Sequence, residues 1–258
     1  MLLAAGAKEL PFNIIASEYL NLSGNKFSKS KGRIISVNEL LQKYQPDSIR
    51  YALTSLAPET GDVDFHWEDF HDRINNELVA NWGNVVQRVL TFTFRKRSGI
   101  IPTPDSLQPE DHKILDEIKC GFNDIGLLYE QARFRTALLQ LRDLSRRLNQ
   151  YVSTMQPWQL IKTDEKRTDT VLFTALQCID WLKTLWSPIL PFSAQKIHDY
   201  LGNSGQLSGQ QYIQEIIDER GQHQILRYRH DKACNVWEPS KLQFGQLMKE
   251  PEILFKKI

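Results

Sequence analysis

The sequence has 258 residues, of which 41% are hydrophobic and 24% are charged, the composition of an ordinary globular protein with a substantial core. The formal net charge of +1 excludes a global basic field, so any contact with nucleic acid must depend on local placement of charge. The three cysteines are widely spaced without a Cys-x-x-Cys pair, which excludes a cysteine-rich zinc site and favours reduced thiols, most of them in the core.

The first motif with a chemical implication is the lysine loop, Lys26-Phe-Ser-Lys-Ser30. Residues 10–25 before it are rich in Ile, Asn, Tyr and Leu, which predicts two short extended pieces, and Gly24 turns into the loop. Two ammonium groups and two hydroxyls suit the triphosphate of ATP, because lysine follows negative charge and serine binds the same oxygens. The alternative is a solvated basic turn, which the loop by itself does not exclude.

The middle of the sequence is predicted to be helical. Residues 37–44 and 47–56 form two short predicted helices that Pro46 separates, and a turn-rich connector runs from Pro58 to Asp64. The clearest helix covers residues 67–97 and closes at Ser98-Gly99. Apolar residues recur on one stripe of this helix: Phe70, Ile74, Leu78, Trp82, Val85, Val86 and Val89.

Further amphipathic helices are predicted over 110–128, 131–154, 166–185 and 188–201, with a short helical turn after Pro157. Their short connections predict a mainly α fold, an antiparallel helical bundle. From Gly202 onward Gly, Ser and Gln dominate, so we expect a polar tail that contacts the bundle through isolated anchors, among them Trp237 and Leu242.

Three residues are candidates for binding an unpaired base. Asn84 and Arg88 lie one turn apart on the long helix, where an amide and a guanidinium can bind a base edge. Trp158 follows Pro157 at a predicted helix start, and an exposed indole is a stacking platform. The alternatives are two surface residues of a helix and a core tryptophan, the role assigned to Trp82, Trp181 and Trp186.

Two clusters of basic residues could contact phosphates. One is Arg142 with Arg146 and Arg147, and the other is residues 95–97. A charge run is more often a solvated helix face. No apolar run reaches the roughly 20 residues of a membrane span, so we expect no membrane partner. The expected reduced thiols indicate a cytoplasmic protein.

The ordered motifs resemble methionyl-tRNA synthetase, a class I aminoacyl-tRNA synthetase, along the whole sequence. The lysine loop is similar to the second class I signature, with Phe27 where the family has Met. The other matching motifs are Pro46-Asp-Ser-Ile-Arg-Tyr51, Pro58-Glu-Thr-Gly-Asp-Val-Asp64, Trp67-Glu-Asp-Phe70, Asn84-Val-Val-Gln-Arg88, Gln156-Pro157-Trp158 and Pro251-Glu-Ile-Leu-Phe-Lys-Lys257.

The resemblance implies a division into a remnant of a Rossmann-like catalytic domain (1–32), a helical connector (33–66), a helical anticodon-binding domain (67–202) and a C-terminal tail that packs on the bundle (203–258). It implies that Lys26 and Lys29 are catalytic and that Lys26, Ser28, Lys29 and Ser30 bind Mg²⁺-bound ATP in methionine adenylation. It also implies that Asn84, Arg88 and Trp158 read the CAU anticodon of tRNA(Met).

The first class I signature is missing, because no His-x-Gly-His occurs in the sequence. Neither the family's methionine pocket nor its zinc knuckle is present, and no metal site is expected. The sequence therefore resembles the C-terminal half of a synthetase and is predicted to be inactive by itself. Three interpretations stay open. The sequence is a fragment of a longer enzyme, a non-catalytic tRNA-binding or regulatory paralogue, or one half of a split synthetase whose other half is the missing catalytic part.

Overall fold

A computed structural model describes residues 13–26, 28, 32, 34–219 and 221–258. The α-helices are α1 (Val37–Lys43), α2 (Pro46–Ser55), α3 (Trp67–Asp72), α4 (Asn84–Lys96), α5 (Pro109–Glu130), α6 (Phe134–Met155), α7 (Pro157–Leu160), α8 (Glu165–Trp186) and α9 (Pro191–Tyr200). The strands are β1 (Leu20–Leu22), β2 (Asn25–Lys26), β3 (Val63–Phe65), β4 (Gln210–Asp218) and β5 (Gly221–Arg229). The predicted mainly α bundle is confirmed, with helix ends shifted by a few residues. The largest shifts, of three residues, are at the starts of α6 and α9, and α9 starts at Pro191 because proline suits the first helical position.

The core of the bundle lies between the facing apolar stripes of α4, α5, α6 and α8. Trp82 and Trp186 stack at its centre with ring centroids 6.1 Å apart, and both are buried. Leu141 of α6 is fully buried beside them. This packing holds α4 against α6, the two helices that carry most of the candidate site.

The predicted helix 67–97 forms, but its middle is wound more widely than an α-helix. α3 continues into a π-helical segment, Arg73–Gly83, which runs directly into α4. The helix ends where Ser98 and Gly99 both adopt left-handed backbone, with φ of 51° and 71°. All seven apolar residues of the predicted stripe are buried, which confirms it. Because π-helical turns are rare and are frequent at functional sites, the junction with α4 is a candidate site by geometry alone.

A small sheet precedes the bundle in the order β2-β1-β3. β1 pairs antiparallel with β2 and parallel with β3, so the two predicted extended pieces are confirmed. The sheet and its helices share a second, smaller core around Phe65 and Phe70. Ile14, Ile15 and Tyr19 before β1 are 82%, 61% and 59% exposed, which leaves an apolar face uncovered.

Within the expected polar tail, residues 210–229 form a β-hairpin that the sequence analysis did not predict. β4 and β5 pair antiparallel from Gln210 opposite Arg229 to Asp218 opposite Gly221. The apolar positions of β4 fall in adjacent pairs, at 212–213 and 216–217, and this spacing hides the alternation that reveals a strand. Beyond the hairpin, Trp237 lies on the bundle and its Nε1 donates to the carbonyl of Phe122 at 2.8 Å.

The expectation that most cysteines are in the core is wrong. Cys178 is buried, whereas Cys120 and Cys234 are exposed. Cys120 lies two positions after the buried Ile118 on α5, which turns it about 200° away from the core side. Within the described part of the chain, no helix is long and apolar enough to cross a membrane.

Candidate functional site

Arg88 and Trp158 are 70 positions apart in sequence and lie in contact in the fold. Cζ of Arg88 is 4.9 Å from the centroid of the Trp158 ring, within the range of a cation–π interaction. Trp158 is half-buried and packs against the bundle core, so the expectation of a freely exposed indole needs correction. A ring held on one side by the core offers a fixed platform, which suits stacking better than a mobile side chain does.

Local backbone geometry places Trp158 there. α6 ends at Gln156, whose φ of 43° and ψ of 59° are left-handed. That conformation costs a residue with a side chain about 1–2 kcal/mol, and the surrounding structure must sustain it. Pro157 follows, buried, as the first residue of α7. The sharp turn and the proline together direct Trp158 toward α4.

Arg88 is fixed from the α6 side. Its Nη2 donates to Oδ1 of Asn149 at 3.3 Å and to Oγ of Ser153 at 3.2 Å. Asn149 in turn donates through Nδ2 to the carbonyl of Asn81 in the π-helical segment, at 2.8 Å. Burial lowers the pKa of the Arg88 guanidinium, although an arginine stays charged at neutral pH. The site therefore holds an oriented cation.

Sequence reasoning missed Asn81, Asn149 and Ser153. A signal was available for two of them, because Asn149 and Ser153 are one turn apart on α6 and directly follow the buried Leu148 and Val152. Polar residues at the margin of an apolar stripe are placed to meet a neighbouring helix. The sequence contains no indication of which helix that is.

Asn84 lies one turn before Arg88 and is exposed at the start of α4. Its side chain makes no hydrogen bond to any residue that the structure describes. Both the donor and the acceptor of the amide are therefore available to a ligand.

The three arginines of the predicted basic face on α6 are paired with carboxylates instead of being free. Arg142 pairs with Glu77 at 3.0 Å, and Arg146 pairs with Asp143 at 2.5 Å. Arg147 pairs with the same Asp143 at 2.7 Å. This face is therefore poorly suited to phosphate. In the second cluster, Arg95 and Lys96 are exposed, and Arg97 pairs with Asp169 and Glu165.

The lysine loop is described only in part. Lys26 is exposed in β2 with Nζ 4.5 Å from the centroid of the Tyr19 ring. The preceding turn is held by Asp64, whose Oδ1 accepts a hydrogen bond from the Gly24 amide at 2.8 Å. Ser28 is half-buried, and Lys29 and Ser30 lie outside the described residues. The ring contact of Lys26 is with Tyr19, whereas that of Arg88 is with Trp158.

No group of three or more His, Cys, Asp or Glu side chains in the described ranges is arranged to hold a metal ion. Charge at both sites is instead supplied by lysine and arginine.

Comparisons with known proteins show what this chain is similar to. A family model for class I tRNA synthetases (M) matches residues 1–90, and one for the anticodon binding domain of methionyl tRNA ligase matches residues 101–220. The methionine–tRNA ligase of Chloroflexus aggregans is 41% identical over 97% of this chain. That of Thermomicrobium roseum is 42% identical over 96%.

Solved structures show the same fold. Mycobacterium tuberculosis methionyl-tRNA synthetase in complex with methionyl-adenylate has a TM-score of 0.80 and 27% identity over 98% of this chain. Its apo form has a TM-score of 0.77 and 24% identity. The chain spans less than half the length of these relatives, 42% and 43% of the two ligases and 46% of the two structures.

The helical bundle, the parallel β1–β3 pair and the first family model together define the class of protein, which is the class I aminoacyl-tRNA synthetases. Within that class, the chain belongs to the methionyl-tRNA synthetase family, of which it carries the lysine loop and the anticodon-binding domain.

Proposed function

We propose that this chain is the part of a methionine–tRNA ligase that binds the anticodon of tRNA(Met) and supplies one loop of the ATP site. The observation that carries the proposal is the Arg88–Trp158 pair, assembled from α4 and α7 and fixed from α6. A tRNA ligase of this family would act in the cytoplasm, so that localisation is part of the proposal.

Each of the three residues has a distinct part in reading an unpaired base. Trp158 offers the exposed part of its ring, beside the Arg88 guanidinium, as a stacking surface for a splayed base. The hydrogen bonds from Arg88 to α6 use Nη2, which leaves the N–H groups of Nη1 for a base edge or a phosphate. Asn84, exposed one turn away, can both donate to and accept from a base edge. Fixed donors discriminate between bases because a wrong base leaves them unpaired.

The lysine loop would serve methionine adenylation. Lys26 and Lys29, with the hydroxyls of Ser28 and Ser30, would bind the phosphates of Mg²⁺-bound ATP and stabilise the charge that develops on the departing pyrophosphate. Exposure of Lys26 on β2 supports this, since its ammonium can reach an anion. The Mg²⁺ would be bound through the phosphates of ATP.

The remainder of the catalytic domain is a proposed partner. Ile14, Ile15 and Tyr19 form an exposed apolar face beside β1, which further catalytic structure would cover. Catalysis needs the amino acid and the α-phosphate held together in a preformed pocket. We therefore expect no methionine-dependent pyrophosphate exchange from this chain alone.

The alternative is a non-catalytic tRNA-binding protein. The specific observation in its favour is that Asn84, Arg88 and Trp158 with their supports all lie within this chain. Pyrophosphate exchange on adding a complementary catalytic half would exclude this alternative.

Fluorescence anisotropy with labelled anticodon stem-loops tests RNA binding. The chain should bind a CAU stem-loop with strong salt dependence and more tightly than one with a changed anticodon. Trp158→Ala should weaken binding by about 1–3 kcal/mol, because the stacking face is lost. Arg88→Ala should weaken it by a similar order and relax discrimination.

Arg146→Ala is the matched control, because Arg146 is an exposed arginine already paired with Asp143. It should leave discrimination between anticodons unchanged. If the anticodon sequence makes no difference to the wild-type chain, the proposed base reading is wrong.

A further inference from the structure

Residues 251–258, the closing segment, lie along the junction between the π-helical segment and α4. Phe255 is buried, and a Cβ added to Gly83 would come within 3.1 Å of its ring. The amide of Leu254 donates to Oε1 of Gln87 on α4 at 3.3 Å. The closing segment is therefore packed on the helix that carries Asn84 and Arg88.

The end of the closing segment is also held. Asn75 in the π-helical segment donates through Nδ2 to the carbonyl of Ile258 at 2.7 Å and accepts from the Ile258 amide through Oδ1 at 3.0 Å. An amide side chain that pairs with both backbone groups fixes their position and direction. Lys256 and Lys257 lie between this pair and the buried Phe255, so their backbone is anchored on both sides.

The helix geometry places Asn84 between two walls. At about 100° per residue, Gln87 lies about 60° to one side of Asn84 and Arg88 about 40° to the other. Gln87 contacts the closing segment, and Arg88 contacts α6. Asn84 thus lies on a strip of α4 between the closing segment and α6.

A groove of about 360 Å³ follows this strip on the side of the closing segment. It is lined on the helix side by Ala80, Asn84 and Gln87, and on the other side by Ile253, Leu254 and Lys257. None of the residues that line it is acidic, so the lysine is its one formal charge among the described side chains. Ile253 is 64% exposed and offers an apolar edge.

We propose that Lys257 binds a backbone phosphate of single-stranded RNA in this groove, beside the base that Asn84 contacts. This inference rests on the proposed function and adds to it a second wall of the RNA site. An exposed ammonium next to two neutral amides and without a carboxylate in the groove selects an anion. The apolar edge at Ile253 suits a ribose or the face of a base. A nucleotide satisfies both requirements at once.

The test compares two neighbouring lysines. Lys257→Ala and Lys256→Ala remove the same charge from adjacent exposed positions, but only Lys257 lines the groove. Binding of the CAU stem-loop is measured by anisotropy over a salt series. Lys257→Ala should reduce the slope of log K against log salt by about 0.7, the value for one phosphate contact on a single strand. Lys256→Ala should leave the slope unchanged.

Preference for CAU over a changed anticodon should survive in Lys257→Ala, because a phosphate contact carries no sequence information. Lys257→Arg should restore the wild-type slope. Urea unfolding of each variant checks that the bundle is unaffected, as expected for an exposed side chain.

The outcomes separate this inference from the proposed function. A wild-type chain that does not distinguish anticodons contradicts base reading, whatever Lys257 does. A wild-type chain that does distinguish them, combined with an unchanged slope for Lys257→Ala or equal slope losses for both lysines, overturns the phosphate site. A loss of anticodon preference in Lys257→Ala would show a base contact instead of a phosphate contact, and would overturn it too.

Discussion

The helical bundle and the small sheet that precedes it differ in how completely they bury their own apolar side chains. In the bundle, Trp82, Leu141 and Trp186 are at most 1% exposed and belong to one continuous core. Beside the sheet, whose strands have two or three residues, Ile14 and Ile15 are more than half exposed. Strands this short are marginal without packing. The bundle thus buries its own apolar side chains, whereas the apolar side chains beside the sheet are exposed.

The two candidate sites also differ, in how firmly neighbouring side chains hold their functional residues. Arg88 and Trp158 are held by side chains from three helices, so their geometry is set before a ligand arrives. Lys26 lies on an exposed two-residue strand and contacts only Tyr19 among the rings that the structure describes. Among the described residues, the Arg88–Trp158 pair is therefore fixed more firmly by neighbouring side chains than Lys26 is.

The largest expected effect is on stability and tests the bundle core directly. Leu141→Ala, at a fully buried position, should lower the free energy of unfolding by about 2–5 kcal/mol, because a cavity adds to the lost transfer energy. Ile15→Ala, at a 61% exposed position, should change it by less than about 0.5 kcal/mol. Urea unfolding followed by circular dichroism measures both. Equal losses would show that the sheet region is packed in solution as tightly as the bundle core.

A smaller effect concerns the joint between the two regions. Asp47 at the start of α2 accepts hydrogen bonds from the amide and the hydroxyl of Ser193, each at 2.6 Å, and so caps α9. Asp47→Ala should lower the free energy of unfolding by about 1–2 kcal/mol, the usual loss on removing a helix cap. Asp124→Ala, an exposed carboxylate in the middle of α5, is the control and should change little. A loss no larger than the control's would mean that the connector is not coupled to the bundle.

The smallest effect concerns pH at the rim of the bundle. Nε2 of the buried His198 lies 3.0 Å from the carbonyl of Ser204, so this nitrogen carries the proton. Burial lowers the pKa of His198 and the nearby Lys183 adds to this, whereas Ser204, Asp180 and Asp199 oppose it. Because the folded pKa is below the unfolded value, the unfolded state binds more protons. The contribution of neutral His198 to the free energy of unfolding is therefore complete above about pH 6.5. It is lost as pH falls through the pKa of His198 in the folded state.

Urea unfolding of wild type and His198→Gln at several pH values checks this. The stability difference between wild type and variant should shrink as pH falls below about 6.5. Cys234, whose Sγ is 3.7 Å from Nε2 of His198, can be replaced by Ser to test whether the thiol takes part. Parallel pH curves for wild type and His198→Gln would contradict the assignment.

The helices were predictable because their signal is local. The apolar stripe from Phe70 to Val89 has its period within the helix itself, and proline and glycine mark the ends of the elements. The order of motifs, from the lysine loop through Asn84 and Arg88 to Trp158, was also readable and led to the family. The hairpin at 210–229 was not predicted because the apolar residues of its first strand do not alternate.

The contacts of the site were decided only by tertiary structure. The motifs imply that Arg88 and Trp158 belong to one site, but no pattern in the sequence indicates that their side chains are in contact. Nor does it indicate that Asn149 holds Arg88 or that residues 251–258 lie beside Asn84. A hydrophobic stripe specifies which side of a helix is buried, but not which neighbour covers it, because many faces are equally apolar. That choice is made when all side chains of the core must fill one volume together, and side chains at its margin, such as Arg88, Asn149 and Trp158, are brought together as a consequence.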